Sequence, residues 1–214
     1  MRHSFFRMKS ALWLVLLFIL PLQVLATELG EAGKRLAALP GVSKVEALNS
    51  KYFPEKYVFF ISQQLDAKDA SKGNFEQRVV LCHRGFDRPT VIVTEGYNAR
   101  YALGEGYIEE LSKLFDTNII CAEYRYFDKS MPKECNWDYL TVENSLYDLH
   151  NINVTLHALY DGKWISTGIS KGGQTTMFYR SYFPDDVDIS VPYVAPLNRA
   201  VEDVRPEKFL RSQV

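Results

Sequence analysis

Residues 164 to 173 read W-I-S-T-G-I-S-K-G-G, and no other stretch limits the possible fold of this chain so strongly. A short apolar run leads into a G-x-S-x-G frame, in which Ser170 lies between Gly168 and Gly172. A strand, a tight turn with a central serine and a helix form a nucleophile elbow, which holds the serine hydroxyl out of the turn. Small neighbours are needed because strand and helix pass close to one another. The pattern predicts Ser170 as a nucleophile, with Gly168, Gly172 and Gly173 as the elbow glycines.

A glycine-rich turn between a strand and a helix, with a capping serine, is the alternative interpretation of the same residues. The flanking sequence favours the elbow, since an apolar strand pattern precedes Ser170 and residues 172 to 182 read as the opening of a helix. In an elbow, the N-terminus of that helix directs its positive end at an acyl intermediate. The stretch is therefore suited to acyl transfer.

The first 26 residues have the pattern of a secretory signal peptide. Arg2, Arg7 and Lys9 precede an apolar core at 11 to 20, and the letters V-L-A at 24 to 26 place small residues before a cleavage site. An uncleaved anchor is the alternative, although the apolar run is short for crossing a bilayer. The sequence predicts cleavage after residue 26 and a secreted or periplasmic, extracytoplasmic location.

The net charge limits which partners can be expected, and the cysteine spacing limits which metal sites can be expected. Cleavage would change the formal net charge from −1 to −4, which gives no reason to expect nucleic acid or stable membrane association. The remaining 188 residues suffice for one core of ordinary size. Cys82, Cys121 and Cys135 match no metal-site spacing, and pairing any two would leave one over. No metal or other cofactor is predicted, and the disulfide pattern stays open.

Apolar patterning after a lead-in at residues 27 to 55 predicts six strands, with helices between the later ones. The strands are expected at 56–64, 75–84, 90–94, 118–122, the run that opens the elbow and 187–194; helices are expected at 28–39, 105–115, 141–159 and 172–182. Strands alternating with helices indicate parallel crossovers. The predicted fold class is α/β, a mostly parallel sheet with helices on both faces and an initial hairpin.

Two loops leave the carboxyl ends of predicted strands and should meet the elbow. The first, E-G-Y-N-A at 95 to 99, follows the strand T-V-I-V-T. In enzymes with this elbow, one oxyanion-hole amide comes from such a loop and the other from the residue after the serine. We assign these amides to Tyr97, with Asn98 as its neighbour, and to Lys171. An ordinary tight turn at Gly96 is an equal alternative.

The second loop begins E-Y-R-Y-F at residue 123. Glu123, or Glu95 in the first loop, could contact the cationic end of a substrate. A solvated or ion-paired carboxylate is the alternative for both. Arg125 is interpreted as a structural ion-pair partner.

Three separated motifs resemble those of a known family. They are H-R-G-F-D-R-P-T-V-I-V-T-E-G-Y at 83–97, E-Y-R-Y-F at 123–127 and T-G-I-S-K-G-G-Q-T at 167–175. They closely resemble the secreted serine peptidases of the PS-10, tripeptidyl-aminopeptidase type, and more distantly prolyl carboxypeptidase, over about residues 57 to 198. The resemblance implies an α/β-hydrolase fold with a helical lid, Ser170 as nucleophile and release of short peptides from free N-termini. Tyr124 stands where the distant relatives have a histidine.

The rest of the expected catalytic triad is not evident in this sequence. In this fold the order is serine, acid, histidine, whereas His3, His83, His150 and His157 all precede Ser170. Aspartates at 185, 186 and 188 follow the serine too soon. We therefore predict the N-terminal part of a longer enzyme: residues 56–198 begin the catalytic domain, residues 199–214 begin a lid segment, and the final strands and most of the lid are missing. Such a fragment is expected to be inactive by itself.

Three functions fit these observations. The first is a serine peptidase releasing tripeptide-like N-terminal segments through an acyl-enzyme on Ser170. The second is an esterase or lipase, because elbow and oxyanion loop serve any acyl transfer. The third is a non-catalytic secreted binding module that has kept the elbow.

Overall fold

Seven strands form a single mixed sheet in the order β1-β2-β3-β5-β4-β6-β7. The computed structural model describes residues 28–198, 200–201 and 203–213, so the predicted signal sequence lies outside the described residues. The strands are Val42–Ala47 (β1), Glu55–Gln64 (β2), Asn74–His83 (β3), Thr90–Thr94 (β4), Asn118–Ala122 (β5), Trp164–Ile169 (β6) and Ile189–Tyr193 (β7). The α-helices are Glu31–Ala37 (α1), Glu110–Phe115 (α2), Val142–Leu156 (α3), Lys171–Tyr182 (α4) and Val204–Ser212 (α5).

The sheet has an antiparallel half and a parallel half. β1, β2 and β3 pair antiparallel, and β3 also lies antiparallel to β5. β5, β4, β6 and β7 all run parallel. The predicted α/β class is confirmed, and the predicted hairpin is formed by β2 and β3, although β1 precedes it. Parallel neighbours end at the same edge of the sheet, so the loops after β4, β5 and β6 come together there.

The central strands of the sheet are buried on both faces. On β4, Val91 and Val93 face a cluster that includes Leu111 of α2, whereas Ile92 faces a cluster built by α1, α3 and α4. All five β4 residues are buried, which explains why this strand reads as a continuous apolar run rather than an alternating one. The predicted helices on both faces are therefore present.

The lead-in segment contains a strand that the sequence does not predict. β1 pairs with β2 from Val42 opposite Ile61 to Ala47 opposite Tyr57, and its register shifts between Ser43 and Glu46. The irregularity coincides with a left-handed residue, Lys44 (φ 51°). The letters V-S-K-V-E-A carry little apolar signal because the strand lies at the sheet edge and is only half-buried. The described sheet thus has seven strands instead of six.

Helix boundaries agree with the sequence at α3 and α4 and differ at α2. Thr141 accepts a bond from the Asn144 amide (3.1 Å) and caps α3. α2 begins only at Glu110, because residues 104 to 107 form a turn in which the Tyr107 amide donates to the Gly104 carbonyl (3.0 Å). α5 lies in the segment predicted to begin the lid and buries none of its residues.

Of the helices that the structure describes, none has the length and apolar character needed to cross a bilayer. The three cysteines are free, with Cys82 and Cys121 buried in the sheet and Cys135 exposed.

Candidate active site

Ser170 occupies the sharp turn between β6 and α4. Its backbone lies at φ 56° and ψ −117°, a conformation that residues other than glycine rarely adopt and that costs energy. The Ser170 amide donates to the Tyr193 carbonyl (3.0 Å), and its carbonyl accepts from the Gln174 amide (2.9 Å). These bonds hold the strained turn, and the residue is exposed at its tip. This is the backbone geometry of a nucleophile elbow; the nucleophilic role of Ser170 stays a prediction.

The three elbow glycines lie where no side chain fits. A Cβ on Gly168 would be 2.5 Å from the Gly172 carbonyl oxygen and 2.6 Å from that of Thr94. A Cβ on Gly173 would be 2.5 Å from the Tyr193 oxygen, and one on Gly172 would meet the Thr94 oxygen at a similarly short distance. All three obstacles are backbone atoms, which cannot swing aside. The glycines therefore allow β4, β6 and α4 to approach closely.

The Thr94 hydroxyl forms hydrogen bonds that connect the end of β4 to β6 and α4 on both sides of the elbow, a role that we did not predict. Its buried hydroxyl oxygen lies 3.1 Å from the Thr167 carbonyl and 2.9 Å from the Gly172 carbonyl. It is also 2.5 Å from the Thr176 hydroxyl. A buried threonine that closes an apolar strand directly before the oxyanion loop is the signal that could have identified it.

The first predicted loop lies beside the elbow. β4 and β6 are paired up to Val93 opposite Thr167, so residues 95 to 99 leave the sheet next to Ser170. Tyr97 and Asn98 are exposed, and the Asn98 side chain accepts from the Arg100 amide (3.3 Å). Neither the Tyr97 nor the Lys171 amide donates to an acceptor in the described part of the chain. Both amides are therefore available for an oxyanion, and their assignment stays a prediction.

Glu123 does not fit the predicted contact with a substrate amine. Its side chain is fully buried and paired with the Arg78 guanidinium. It also accepts bonds from the amides of Ala99 (3.2 Å), Lys129 and Ser130 (both 3.1 Å) and from the Ser130 hydroxyl (2.9 Å). The structure favours the ion-paired alternative, in which Glu123 organises its own loop and, through Ala99, the end of the oxyanion loop.

Arg125 has the structural role that we expected. Its guanidinium is fully buried, donates two bonds of 2.7 Å to Asp148 and contacts three backbone carbonyls.

Glu95 lines a cavity that adjoins the elbow. The cavity measures about 290 Å³, and its lining includes Glu95, Glu109 and Glu110 together with Gly168 and Ile169. Burial raises the pKa of Glu95 and of Glu109. No group of three or more His, Cys, Asp or Glu side chains in the described residues is arranged to hold a metal ion. The cavity lining thus combines three carboxylates with Gly168 and Ile169, the two residues before Ser170.

The three described histidines lie far from Ser170. The His157 ring stacks on Trp164, the first residue of β6, and His83 Nδ1 is 2.8 Å from the hydroxyl of Tyr160, just before that strand. Six strand residues separate that end from Ser170, a span of about 20 Å. His150 pairs with Asp186 (2.8 Å) beyond the far end of α4, about 18 Å of helix away. None of them can take the Ser170 proton directly.

Two of the aspartates that follow α4, Asp186 and Asp188, are equally distant and already bonded. Asp186 accepts from the Tyr179 hydroxyl (2.6 Å), and Asp188 accepts from the Trp164 amide (2.9 Å). Both lie at the opposite end of the sheet from the elbow, as the sequence order led us to expect. Neither the three described histidines nor Asp186 and Asp188 are therefore placed to complete a triad with Ser170.

The strand order, the two faces covered by helices and the strained serine after β6 define an α/β-hydrolase. The chain belongs to the PS-10 peptidase S37 family, whose family model matches residues 28–211. It is 34% identical over 180 residues to a prolyl tri/tetrapeptidyl aminopeptidase of Streptomyces mobaraensis, covering 83% of this chain and 37% of that protein. It is 27% identical over 154 residues to a probable serine protease of Arabidopsis thaliana, covering 63% and 32% respectively. The chain thus spans about a third of the length of these curated relatives.

Solved structures with a similar arrangement include esterases of low sequence identity. An esterase of Pyrococcus furiosus has a TM-score of 0.48 at 15% identity, covering 72% of this chain and 58% of the other. The rice cell wall degrading esterase of Xanthomonas oryzae has a TM-score of 0.48 at 14% identity, covering 74% and 51%.

Proposed function

We propose that this protein is an exported serine peptidase that releases short, tripeptide-like segments from free peptide N-termini. The observation that carries the proposal is Ser170, held strained and exposed beside two amides with no acceptor among the described residues. The name of the Streptomyces relative, a prolyl tri/tetrapeptidyl aminopeptidase, supports the peptidase activity and the length of the product.

The reaction would proceed through an acyl-enzyme. The Ser170 oxygen attacks the scissile carbonyl carbon, and the carbonyl oxygen becomes an oxyanion bound by the Tyr97 and Lys171 amides. The C–N bond then breaks, the leaving amine takes the serine proton through a general base, and water releases the N-terminal peptide. The N-terminus of α4 adds favourable potential at the developing negative charge. The described histidines are too distant to be that base.

The acidic cavity would receive the amino terminus of the substrate. Glu95 begins the oxyanion loop and lines the same cavity as the elbow residue Gly168. A carboxylate there would pair with the terminal ammonium and limit how many residues fit before the scissile bond. A cavity with three carboxylates favours a cationic peptide end over a lipid ester, which places the esterase second. A binding module has no need for a serine kept in a strained conformation.

The amine contact can be tested with matched substrates. Glu95→Gln is expected to raise KM for a free-amine peptide about 10–100-fold, since hydrogen bonds to charged groups contribute roughly 1.5–3 kcal/mol. KM for the N-acetylated peptide should not change. In the wild type, KM for the free-amine peptide should rise as the pH falls through the raised pKa of Glu95, because protonation removes the charge. Steady-state kinetics of the full-length protein against pH measure both effects.

Glu46→Gln provides the control, because Glu46 is exposed on β1 at the far edge of the sheet. The groups that face Glu95 are the Tyr101 hydroxyl and the Gly96 amide, which donate to it, and the carboxylates of Glu109 and Glu123. If Glu95→Gln raised KM equally for the free-amine and the N-acetylated peptide, the amine contact would be contradicted and the peptidase proposal would stand.

Export of the protein is a separate proposal, based on the first 26 residues. N-terminal sequencing or intact mass measurement of secreted material is expected to give Thr27 as the first residue. Recovery of intact Met1 in a membrane fraction would overturn this prediction.

A further inference from the structure

The side chain of Lys171 crosses from the elbow to the oxyanion loop. Its ammonium donates to the Gly96 carbonyl (2.7 Å) and lies 3.6 Å from the centre of the Tyr124 ring and 5.2 Å from that of Tyr97. No carboxylate in the described part of the chain forms an ion pair with it. The half-buried ammonium contacts both a carbonyl and an aromatic face, which gives it a defined position. A solvated surface lysine has no such fixed position.

Gly96 makes room for this lysine. A Cβ on Gly96 would lie 2.6 Å from Lys171 Cγ and 2.7 Å from its Cβ. Gly96 is not among the left-handed glycines of the described chain, which are Gly41 and Gly73. A turn that needs glycine for its backbone angles therefore does not explain this position. The glycine is explained by the space that the Lys171 side chain occupies.

The Tyr124 ring packs against the Lys171 ammonium. Tyr124 is buried, its hydroxyl donates to Ser145 of α3 (2.7 Å), and its amide donates to the Tyr97 carbonyl (3.0 Å). The platform is thus anchored in the core and bonded to the same loop that Lys171 holds. The sequence suggested no role for this tyrosine.

The bond to Gly96 acts on the neighbouring amide through peptide planarity. The Gly96 carbonyl and the Tyr97 N–H belong to one planar trans peptide and point in opposite directions. Holding the carbonyl oxygen therefore fixes the direction of the N–H. A cationic donor on that oxygen also polarises the peptide and strengthens the N–H as a donor.

We propose that Lys171 is a positioning residue, whose ammonium orients and polarises the Tyr97 amide while its own backbone amide supplies the second oxyanion donor. The inference rests on the proposed function, because it concerns the same oxyanion hole. Both donors would then be fixed relative to each other by one residue. Burial lowers the pKa of Lys171, and the aromatic ring and the carbonyl favour its charged form.

The test compares variants of the full-length protein on a free-amine peptide substrate. Lys171→Met keeps the length of the side chain and removes the ammonium. We expect kcat to fall about 100-fold, the effect of losing one oxyanion-hole donor, with KM changed less than about threefold. Lys163→Met is the control, since Lys163 is exposed beside Asp188 at the other end of β6. Thermal unfolding shows whether each variant is folded.

Chemical rescue distinguishes positioning from packing. Lys171→Cys is placed in a background without other exposed cysteines, Cys135→Ser among the changes, while Cys82 and Cys121 are buried. Alkylation with bromoethylamine then restores an ammonium at nearly the original position. Alkylation is expected to recover at least about tenfold in kcat, part of the roughly 100-fold loss. Should Lys171→Met not fold, Gly96→Ala displaces the lysine stem and is expected to lower kcat in the same way.

The outcomes separate the two proposals. Wild-type turnover no higher than that of Ser170→Ala would overturn the proposed function and this inference with it. Serine-dependent wild-type turnover that Lys171→Met lowers by less than about twofold would overturn the inference alone. A loss of kcat that aminoethylation does not restore would show that the side chain only fills space, and would likewise overturn it.

Discussion

Ser170→Ala is expected to lower the turnover of the full-length enzyme by about 10⁶-fold, as loss of the nucleophile does in other serine hydrolases. The variant removes only the oxygen that forms the acyl bond. The elbow is held by backbone contacts of Ser170 with Tyr193 and Gln174 and by close glycine packing, so the fold should remain intact. Steady-state kinetics and labelling with a fluorophosphonate probe, mapped by mass spectrometry, measure the effect. The wild type should carry the label at Ser170.

Ser181→Ala is the matched control, because Ser181 is an exposed serine near the other end of α4. It should label and turn over like the wild type. Peptidase activity that survives in Ser170→Ala, with the label on another residue, would show that the elbow is not the catalytic centre.

The sequence predicted the parts of the molecule that local patterns specify. The run T-V-I-V-T and the segment N-I-I-C-A form β4 and β5 with the predicted ends, because strands buried on both faces are apolar at most positions. The strained serine after β6 follows from its glycine neighbours, since only residues without Cβ atoms let these backbones approach. These features need no knowledge of distant contacts.

Features that depend on distant contacts were missed or assigned another role. β1 is held by its pairing with β2, and its own six residues are too polar to signal a strand. Glu123 was a candidate for the substrate amine because its loop leaves a strand beside the elbow. Its buried partner Arg78 comes from β3, 45 positions earlier, and a single sequence does not show such a pairing. Lys171 was selected for its amide alone, since nothing in the sequence shows where its side chain lies.

The position of the histidines could be judged from sequence order and then from geometry. All four precede the serine, whereas the triad of this fold places its histidine after it. Contacts with Tyr160, Trp164 and Asp186 place the three described rings at the far ends of β6 and α4. Order along the chain was informative here because parallel strands put successive loops at one edge of the sheet.

Glu123→Ala is expected to destabilise the protein by about 3–5 kcal/mol, the usual cost of removing one partner from a buried ion pair. The substitution leaves the Arg78 guanidinium without its fully buried partner, although Asp128 still contacts it (2.7 Å). It also leaves the Ala99, Lys129 and Ser130 amides without the carboxylate that now accepts from them. Glu123→Gln keeps an acceptor oxygen and should cost less, about 1–3 kcal/mol. Denaturant unfolding of the full-length protein measures both free energies.

Two further variants separate the buried charge from loss of the carboxylate itself. Glu31→Ala removes a carboxylate from an exposed pair with Arg35 on α1 and should leave the unfolding midpoint unchanged, since such pairs contribute little. Adding Arg78→Met to Glu123→Ala removes the cation that has lost its partner, and part of the lost stability should return. A Glu123→Ala protein as stable as the wild type would mean that Glu123 does not organise the two loops. Glu123 would then again be a candidate for the contact with the substrate amine.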